Sequence, residues 1–539
     1  MFACVVPPSP TGYFASLWMT NLIFKLQHVS IRFKNLAMNF TNFLHQVAIV
    51  ERAGPDPVVR DVVYDSRHVA PGAVFVAMHG GTTDGNRYVE NAIQQGAVAI
   101  VTDSQTTWTR LRAMHSDCAV ARVEHGRRAL AGVSANFFGH PEKKLHLSGV
   151  TGTNGKTTTT YLLESMLRSA GRTCVLVGTI EYHVAREIRP SPHTTPESRD
   201  LFQLFAEGVA AGATEAVMEV SSHALDQGRV WGLHWDTAVF TNLTQDHLDY
   251  HGDMESYFMA KTKMFTGTGA PPPRVAVIHT ADAYGQRLSG LAKQAGCDVV
   301  EYCMDSGDFR AEDVRLAANA TRFRMMTPTG TLELQTHLAG PVNVLNLLAA
   351  SAAAMARGLT LEEIARGVEN IAHVPGRFQT VDCGQPFTVA IDYAHTDDAL
   401  RNVTRLARLL AAPRHGRVIT VFGCGGDRDR GKRPRMGRAA GEGSDFVVVT
   451  SDNPRSEDPG SILAEILPGV EESGVKFAVE VDRARAIQLA IAEARENDVV
   501  VIAGKGHEKV QVLRDRTIPF DDAEEARHAL IWSDPVNSC

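Results

Sequence analysis

The stretch HLSGVTGTNGKTTTTYLLESMLRSAG, residues 146–171, decides the fold of this chain. It opens as a short apolar strand, passes through a turn that holds Gly152 and Gly155, and continues as a helix. The helix has one apolar face, because leucine and methionine recur at helical spacing between residues 162 and 167. A strand, a glycine turn and a helix in this order are typical of a nucleotide site in an α/β protein.

The glycine turn is suited to hold phosphate groups. Its glycines let the backbone approach an anion closely, and the amides at the start of the helix point toward that anion. Lys156 is placed to reach the β- and γ-phosphate oxygens, and the Thr157 hydroxyl to hold Mg²⁺. The common spacing G-x-x-x-x-G-K-[ST] is not met, because Val150 stands where its first glycine would be. The alternative is a surface turn with a solvated lysine, which does not explain four threonines opening a helix they disfavour.

The composition excludes several classes of protein. The chain has 539 residues, 44% hydrophobic and 21% charged, which is typical of a globular protein with about three to four domains. A net charge of -7 gives no overall positive field for nucleic acid. The eight cysteines form no C-x-x-C pair, and no apolar run reaches the roughly 18 residues of a membrane span. We therefore expect a cytoplasmic protein without a membrane span.

Alternating strand and helix patterns predict an α/β protein of three domains. A small N-terminal α/β domain is predicted over residues 41–145, a central P-loop-type parallel sheet with helices over 146–375, and a C-terminal Rossmann-like domain over 376–539. The last boundary depends on the Pro-Gly break in HVPGRFQT. Residues 1–40 are predicted to be an extension, either disordered or preceding a true start at Met38; a short amphipathic arm is the alternative.

Two more apolar runs of the central segment end in polar clusters, in EAVMEVSSHALDQGRV and DTAVFTNLTQDHLDYHG. Glu219 and His247 stand at these strand ends, where ligands of open α/β sheets bind. With Thr157 they could complete a Mg²⁺ shell, although magnesium prefers oxygen over imidazole. Taken alone, a glutamate after a strand is more often a solvated strand end.

The string GVTGTNGKTTT resembles the ATP loop of the Mur ligase superfamily, whose members form amide bonds with ATP. The resemblance implies catalytic roles for Lys156 and Lys261, with ATP and Mg²⁺ as cofactors. It also implies that Lys261 is carbamylated to N6-carboxylysine and joins Thr157, Glu219 and His247 as a metal ligand; from the residues alone, Lys261 is an ordinary helix lysine. The implied ATP-binding residues are Gly152, Thr153, Asn154, Gly155, Lys156, Thr157, Thr158, Asn343 and Asp392.

The same resemblance implies a binding surface for a UDP-MurNAc-dipeptide. The stretch YDSRHVAPGAVFVAMHGGTTDG is similar to a uridine-binding domain of the family, and SPHTTPESRD to part of the surface for the remainder of the substrate. By spacing alone, these are ordinary turn and loop residues. The implied contacts are Ser66, Gly81, Thr82, Thr83, Thr194, Thr195, Ser221, Gln227 and Arg229.

Four apolar runs of the last segment each end in a polar loop, in FTVAIDYAHTDD, RVITVFGCGGDRDRG, DFVVVTSDNPRSEDP and DVVVIAGKGHE. Such runs suit central parallel strands, so the four loops are predicted to share one crevice. Between residues 426 and 438, six Lys or Arg accompany two Asp. A nucleic-acid patch is the alternative here, but no aromatic residues are interleaved, and an anionic small substrate fits better.

The string DNPR, residues 452–455, resembles the motif of Mur ligases that add meso-2,6-diaminopimelate. Arg455 is suited to pair with the distal carboxylate of that amino acid, and Asp452 and Asn453 to address its distal ammonium. Asp397 departs from a proline that is common in the DYAHTPDAL motif. The implied diaminopimelate-binding residues are Arg428, Asp452, Asn453, Pro454, Arg455, Gly504 and Glu508.

The resemblance implies an ATP-dependent carboxylate–amine ligase. Such an enzyme would activate the D-Glu γ-carboxylate of UDP-MurNAc-L-Ala-D-Glu as an acyl phosphate and join it to diaminopimelate, as a step in peptidoglycan precursor synthesis. We expect small-molecule substrates, no nucleic-acid partner and a monomer. The alternatives are a lysine-adding relative, a folylpolyglutamate synthetase, and a P-loop nucleotide-binding protein without ligase chemistry.

Overall fold

The computed structural model describes residues 36–81, 83–115, 117–317 and 320–532. It divides into two compact units. The first holds the described residues up to Lys144 together with Glu197–Ala206 and Gln227–Gly232. The second holds Leu145–Pro196, Glu207–Asp226 and the described residues from Leu233 onward.

The first unit is built on a five-stranded sheet of order β2-β7-β6-β5-β4, in which β4 to β7 are parallel and β2 runs antiparallel to β7. The central strands are short apolar runs buried along their whole length, as parallel strands covered on both faces require. The elements are β1 Met38–Asn39, α1 Phe40–Phe43, β2 Ile49–Ala53, β3 Val58–Val59, β4 Asp61–Val63, β5 Ala73–Ala77, α2 Val89–Gln94, β6 Ala99–Thr102, α3 Gln105–Met114, β7 Ala119–Val123 and α4 Gly126–Phe137.

The end of the predicted extension packs into this unit. Strand β1 pairs with β3, and the Asn39 side chain accepts from the amide of Asn42 to cap α1. Phe40 and Phe43 are fully buried. The folded part of the chain thus includes Met38 to Phe40, while residues 1–35 of the predicted extension lie outside the described residues.

The second unit contains an eight-stranded sheet of order β11-β10-β9-β12-β8-β13-β14-β15. The strands from β9 to β15 in this order are parallel, and β10 and β11 extend the sheet as an antiparallel hairpin. Its strands are β8 His146–Thr151, β9 Cys174–Val177, β10 Glu181–Val184, β11 Glu187–Pro190, β12 Glu215–Glu219, β13 Thr237–Phe240, β14 Val275–His279 and β15 Asp298–Tyr302.

In the described part of the chain, eight helices lie between residues 156 and 369, and of their residues, 198–206 and 227 belong to the first unit. The helices are α5 Lys156–Ser169, α6 Ser198–Ala210, α7 Ser222–Gln227, α8 Leu248–His251, α9 Met254–Thr266, α10 Ala283–Gln294, α11 Pro341–Ala356 and α12 Leu361–Glu369. The apolar face predicted for the loop helix is buried, with Leu162, Leu163, Met166 and Leu167 inaccessible to solvent. These side chains belong to one hydrophobic core with α11 and the sheet.

A three-stranded antiparallel sheet interrupts this alternation, which is a feature the strand and helix pattern did not predict. It consists of β16 Arg310–Ala317, β17 Ala320–Thr327 and β18 Gly330–Thr336. Its strands alternate exposed and buried residues, so only one face packs on the core.

The last segment forms a six-stranded sheet of order β19-β20-β24-β21-β22-β23, parallel except for β19. This order sets the carboxyl ends of β20, β24, β21 and β22 side by side. The elements are β19 Gln379–Val381, β20 Thr388–Asp392, α13 Asp397–Ala411, β21 Val418–Phe422, α14 Lys432–Gly443, β22 Phe446–Thr450, α15 Pro459–Glu472, β23 Lys476–Glu480, α16 Arg483–Glu493, β24 Val499–Ala503, β25 Val510–Val512, β26 Thr517–Pro519 and α17 Asp522–Trp532.

The predicted α/β class with parallel-rich sheets is confirmed. Each of the three predicted domain ranges contains its own sheet, and the exact ranges remain predictions. Among the described residues, no helix combines the length and the apolar character needed to cross a membrane.

Candidate active site

The phosphate loop connects β8 to α5 at the carboxyl edge of the eight-stranded sheet. Gly152 and Gly155 adopt left-handed φ values of 146° and 88°. A side chain at Gly152 would overlap the Thr241 hydroxyl, and one at Gly155 would lie 2.5 Å from Asn346 Oδ1. Both glycines are therefore required by backbone conformation and by close neighbours.

The phosphate loop is fixed by Thr241 and Asn242, which directly follow β13, the neighbour of β8 in the sheet. The amide of Thr153 donates to the Asn242 carbonyl at 2.9 Å, and the amide of Asn154 to Asn242 Oδ1 at 2.9 Å. The Thr241 hydroxyl donates to the Asn154 carbonyl at 2.6 Å. These contacts hold the loop in place, and the amides of the first turn of α5 lack partners within the helix, as at any helix start.

Two lysines converge on the loop. Lys156 Nζ donates to the carbonyls of Gly152 and Thr153 at 3.0 and 2.8 Å, and Lys261 Nζ donates to the Gly152 carbonyl at 2.8 Å. None of the ion pairs in the described ranges involves either ammonium. Burial lowers the pKa of both lysines, and for Lys261 the neighbouring charge of Lys156 lowers the pKa further.

The predicted metal ligands lie around these lysines. Glu219 pairs with Val150 of β8, and its carboxylate accepts from the amide and hydroxyl of Thr179 at 2.8 and 3.0 Å. The negative charge of Glu219 partly offsets the lowering of the Lys156 pKa by burial. His247 follows β13, and its pKa falls to about 4 through partial burial and the charges of Lys156 and Lys261 among others. A neutral imidazole and a carboxylate with free lone pairs are both able to bind a cation.

Arg377 is a residue that the sequence did not single out. Its Nη2 donates to the Thr157 hydroxyl at 3.1 Å, so it reaches the start of the loop helix. Asp392 explains its position, because the two Asp392 carboxylate oxygens accept from the amides of Phe378 and Ala394 at 2.8 and 2.9 Å. The predicted nucleotide residue Asp392 thus fixes the turn that carries Arg377. The signal in the sequence that could have pointed to Arg377 was the Pro-Gly break at residues 375–376, directly before it.

Asn343 and Asn346 form a buried pair at the start of α11. Asn346 Nδ2 donates to Asn343 Oδ1 at 3.1 Å, and Asn343 Nδ2 donates to the Ala339 carbonyl at 2.8 Å. Asn346 Oδ1 lies against Gly155 of the loop. Of this pair, Asn346 lies nearer to the loop than the predicted nucleotide contact Asn343.

A cavity of about 670 Å³ opens beside the loop residues that follow β13. Its wall combines His247, the first turn of α13 and the loops after β20, β21, β22 and β24. Asp398 at its edge accepts from Asn154 Nδ2 of the phosphate loop at 3.3 Å. Of the seven predicted diaminopimelate residues, all but Pro454 line this cavity: Arg428, Asp452, Asn453, Arg455, Gly504 and Glu508.

Arg455 has an unusual backbone conformation for a residue with a side chain, with φ 53°. Its amide donates to the Val512 carbonyl at 3.0 Å, and its Nη1 donates to the Gly426 carbonyl at 2.7 Å. No described carboxylate forms an ion pair with it. The guanidinium is held by backbone oxygens at the cavity wall, where it can receive an anionic group.

The side-chain amide of Asn453 has three hydrogen-bond partners inside the protein. Its Oδ1 accepts from Lys505 Nζ at 3.0 Å and from the amide of Val512 at 2.9 Å, while its Nδ2 donates to Glu508 Oε2 at 2.7 Å. Asp452 differs, because its buried Oδ1 has no hydrogen-bond partner. Because Asp452 and Glu508 both line the cavity, the geometry favours these two as contacts for an ammonium, and Asn453 as the residue that orients Glu508.

Family models match three parts of the chain. They are a Mur ligase family catalytic domain at residues 58–137, a Mur ligase middle domain at residues 150–354, and a Mur ligase glutamate ligase domain at residues 376–506. A relative from Solibacter usitatus, named UDP-N-acetylmuramoyl-L-alanyl-D-glutamate–2,6-diaminopimelate ligase, is 49% identical over 499 residues, which are 92% of this chain and 98% of the relative.

The chain belongs to the Mur ligase family. A second relative of the same name, from Geobacillus thermodenitrificans, is 45% identical and covers 89% of this chain and 96% of its own. A solved structure of a ligase of that name has a TM-score of 0.66 at 31% identity and covers 92% of this chain and 99% of its own. As a Mur ligase, the protein is an ATP-dependent amide ligase.

The residues expected to contact the UDP-MurNAc-dipeptide are divided between the two units of this Mur ligase. Ser66, Gly81, Thr83, Gln227 and Arg229 belong to the first unit, and Thr82 lies outside the described residues. In that unit, Arg229 Nη2 donates to Gln227 Oε1 at 2.9 Å.

Thr194, Thr195 and Ser221 belong to the second unit. The Thr195 hydroxyl donates to the Glu219 carbonyl at 2.9 Å and accepts from the Ser221 amide at 3.1 Å. The Thr194 hydroxyl lies 3.0 Å from the Thr179 hydroxyl, which also contacts the Glu219 carboxylate. These residues therefore border the predicted metal ligand.

Proposed function

We propose that this Mur ligase joins meso-2,6-diaminopimelate to the D-Glu γ-carboxylate of UDP-MurNAc-L-Ala-D-Glu, with ATP as the energy source. The observation that carries the proposal is the cavity, which extends from His247 beside the phosphate loop to Asp452, Arg455 and Glu508. Two relatives that match nearly their whole length carry the name of this activity.

The reaction requires activation because a carboxylate is a poor electrophile. A carboxylate oxygen of the D-Glu side chain attacks the γ-phosphorus of ATP, ADP leaves, and an acyl phosphate forms. The amine of diaminopimelate then attacks the acyl carbon, the C–O bond to phosphate breaks, and inorganic phosphate and a proton are released. Lys156 and the amides at the start of α5 would offset the charge that gathers on the transferring phosphate.

Magnesium is proposed as the metal, with Thr157, Glu219, His247 and a carbamylated Lys261 as the residues that would hold it. The donors fit in kind: Glu219 keeps lone pairs beyond those bound by Thr179, and His247 is neutral at pH 7. In the part of the chain that the structure describes, no three His, Cys, Asp or Glu side chains form a ready metal site. When bound, Mg²⁺ would neutralise phosphate charge.

Carbamylation of Lys261 would add a second anion to this group of ligands, beside the Glu219 carboxylate. The Lys261 side chain is almost fully buried, contacts a carbonyl and a tyrosine ring, and has no described carboxylate in ion-pair distance. A buried ammonium without a counter-ion is costly, whereas a neutral amine reacts with CO₂ to give a carbamate. This chemistry would turn a cationic neighbour of the phosphates into a metal ligand.

The remaining assignments belong to the same proposal. We propose that the enzyme works as a monomer in the cytoplasm. The proposed contacts to the UDP-MurNAc-dipeptide are Ser66, Gly81, Thr82, Thr83, Thr194, Thr195, Ser221, Gln227 and Arg229.

A panel of amino acids tests the proposal directly. The purified chain is incubated with ATP, Mg²⁺ and UDP-MurNAc-L-Ala-D-Glu, and ADP release is measured with meso-diaminopimelate, L-lysine, D-glutamate or no amino acid. We expect ADP release to depend on diaminopimelate and on the muramoyl dipeptide. Equal or better turnover with lysine would identify a lysine-adding enzyme, and ATP hydrolysis indifferent to both substrates would contradict ligase chemistry of this kind.

A further inference from the structure

We propose that Lys505 sets the charge of the distal end of the amino-acid cavity and so determines that diaminopimelate is chosen over lysine. This inference rests on the proposed function. Lys505 would act through Asp452 and Glu508 rather than by touching the substrate, which makes it a positioning and specificity residue.

Lys505 is a fully buried ammonium behind the cavity wall. Its side chain has 0% exposure, and Nζ donates to Asn453 Oδ1 at 3.0 Å and to Glu508 Oε2 at 3.3 Å. It also lies 3.7 Å from Asp452 Oδ1. Left-handed glycines at 504 and 506, with φ 117° and 53°, flank it and form the turn that directs it inward. The lysine therefore faces two carboxylates that themselves line the cavity.

The two carboxylates and the lysine together carry one net negative charge. We call Asp452, Glu508 and Lys505 the charge triad. The nearby Arg483 adds no net charge, because it is buried in an ion pair with Asp522 at 2.7 Å. Asp452 and Glu508 line the cavity, and the buried Asp452 Oδ1 faces Lys505 behind the wall. One ammonium matches the net charge of the triad.

The charge of the triad matters for the distal carboxylate of the substrate. The distal centre of diaminopimelate carries an ammonium and a carboxylate, and L-lysine has only the ammonium. Arg455 can receive the carboxylate, but only if the adjoining carboxylates do not repel it. Without the Lys505 charge the triad would carry two negative charges, which would favour the plain ammonium of lysine and disfavour diaminopimelate.

The test compares Lys505→Met with the unmodified enzyme. The kcat/KM values for meso-diaminopimelate and for L-lysine are measured by ADP release with saturating ATP and muramoyl dipeptide, and the KM for ATP is measured separately. We expect the diaminopimelate-to-lysine ratio to fall about tenfold, which corresponds to about 1.4 kcal/mol, while the KM for ATP changes by less than about threefold. An unchanged ratio with both activities reduced would show a purely structural role and overturn the proposal.

Three further variants separate charge from folding. Lys505→Arg keeps the charge and should keep most of the ratio. The double variant Lys505→Met with Glu508→Gln again carries one net negative charge. Its diaminopimelate-to-lysine ratio should be closer to that of the unmodified enzyme than the ratio of Lys505→Met alone. Lys509→Met removes an exposed lysine that pairs with Asp521, and it should leave the ratio unchanged. A double variant no better than the single one would contradict the charge argument.

If Lys505→Met fails to fold, Lys505→Gln with ligand-induced shifts of the unfolding temperature replaces the kinetic assay. For each protein, the shift caused by diaminopimelate is compared with the shift caused by lysine. The advantage of diaminopimelate over lysine should be smaller in the variant than in the unmodified enzyme, and an equal advantage in both would overturn the inference. If the unmodified enzyme does not prefer diaminopimelate, the proposed function itself fails. The two failures are therefore distinguishable.

Discussion

Lys156 and Lys261 donate to the same atom, the carbonyl oxygen of Gly152, at 3.0 and 2.8 Å. Lys156 opens the helix after the phosphate loop, and Lys261 comes from α9, so only the tertiary fold brings them together. Two ammonium groups on one carbonyl repel each other, and no described carboxylate lies within ion-pair distance of either. The site therefore favours negative charge. Lys156 can bind a phosphate group, and under our proposal Lys261 itself becomes a carbamate.

Lys156→Ala should reduce ligase turnover by about a thousandfold or more. The substitution removes the positive charge that faces the transferring phosphate, and such preorganised charge acts mainly in the transition state. Steady-state ADP release with diaminopimelate measures the effect, and a circular dichroism spectrum of the variant verifies folding. Turnover near that of the unmodified enzyme would refute the assigned role of this lysine.

Lys261→Ala should abolish most turnover, and short carboxylates such as acetate or propionate should restore part of it. They would supply the oxygen ligand that the carbamate provides. The matched control is Lys263→Ala on the same helix, because Lys263 is exposed and pairs with Asp226 at 2.6 Å. The control should retain turnover. In ¹³C-bicarbonate, a carbamate NMR signal should appear in the unmodified enzyme and vanish in Lys261→Ala; its absence from both would argue against carbamylation.

Arg455→Ala should raise the KM for diaminopimelate by about tenfold or more and change the KM for ATP far less. The guanidinium is held at the cavity wall by the Gly426 carbonyl and is available to a substrate carboxylate. Initial rates at varied concentrations of each substrate give both constants. Arg485→Ala, at an exposed arginine of α16, serves as the control and should change neither. If Arg455→Ala changed the KM for diaminopimelate and the KM for ATP equally, the proposed role of Arg455 in amino-acid binding would be wrong.

His183 should make the enzyme less stable as the pH rises into the alkaline range. Burial opposes its charge, but the hydrogen bonds that the imidazole donates to the Glu164 and Glu181 carboxylates outweigh burial and raise the pKa of His183 to about 9 from the ordinary 6.5. Because the folded-state pKa is the higher one, the contribution is complete below pH 6.5 and is lost as pH rises through about 9. A shift of this size corresponds to at most about 3 kcal/mol.

Urea unfolding between pH 6 and pH 9.5 checks this expectation. The difference in free energy of unfolding between the unmodified protein and His183→Gln should shrink as pH rises, because glutamine carries no titrating charge. A difference that stays constant over this range would show that His183 is not charged in the folded protein. The comparison cancels the other groups that titrate in both proteins.

Much of the local chemistry was readable in the sequence. The strand, glycine turn and helix at residues 146–171 have a local cause, since only glycine fits at 152 and 155 and the apolar spacing of the helix fixes its buried face. The polar loops after apolar runs were equally readable, because parallel strands end at a common edge. The resemblance of GVTGTNGKTTT and DNPR to Mur ligase motifs pointed to the family, which the relatives then confirmed.

The tertiary structure decided what those motifs touch. Arg377 reaches Thr157, and Asn346 rather than Asn343 lies against the loop. Asn453 turns inward to Lys505, which also lies 3.7 Å from Asp452. None of these relationships follows from spacing, because each joins side chains from strands and helices far apart in the chain. Local sequence specifies backbone conformation and buried faces, whereas the partners of a buried polar group depend on how the sheets and helices pack.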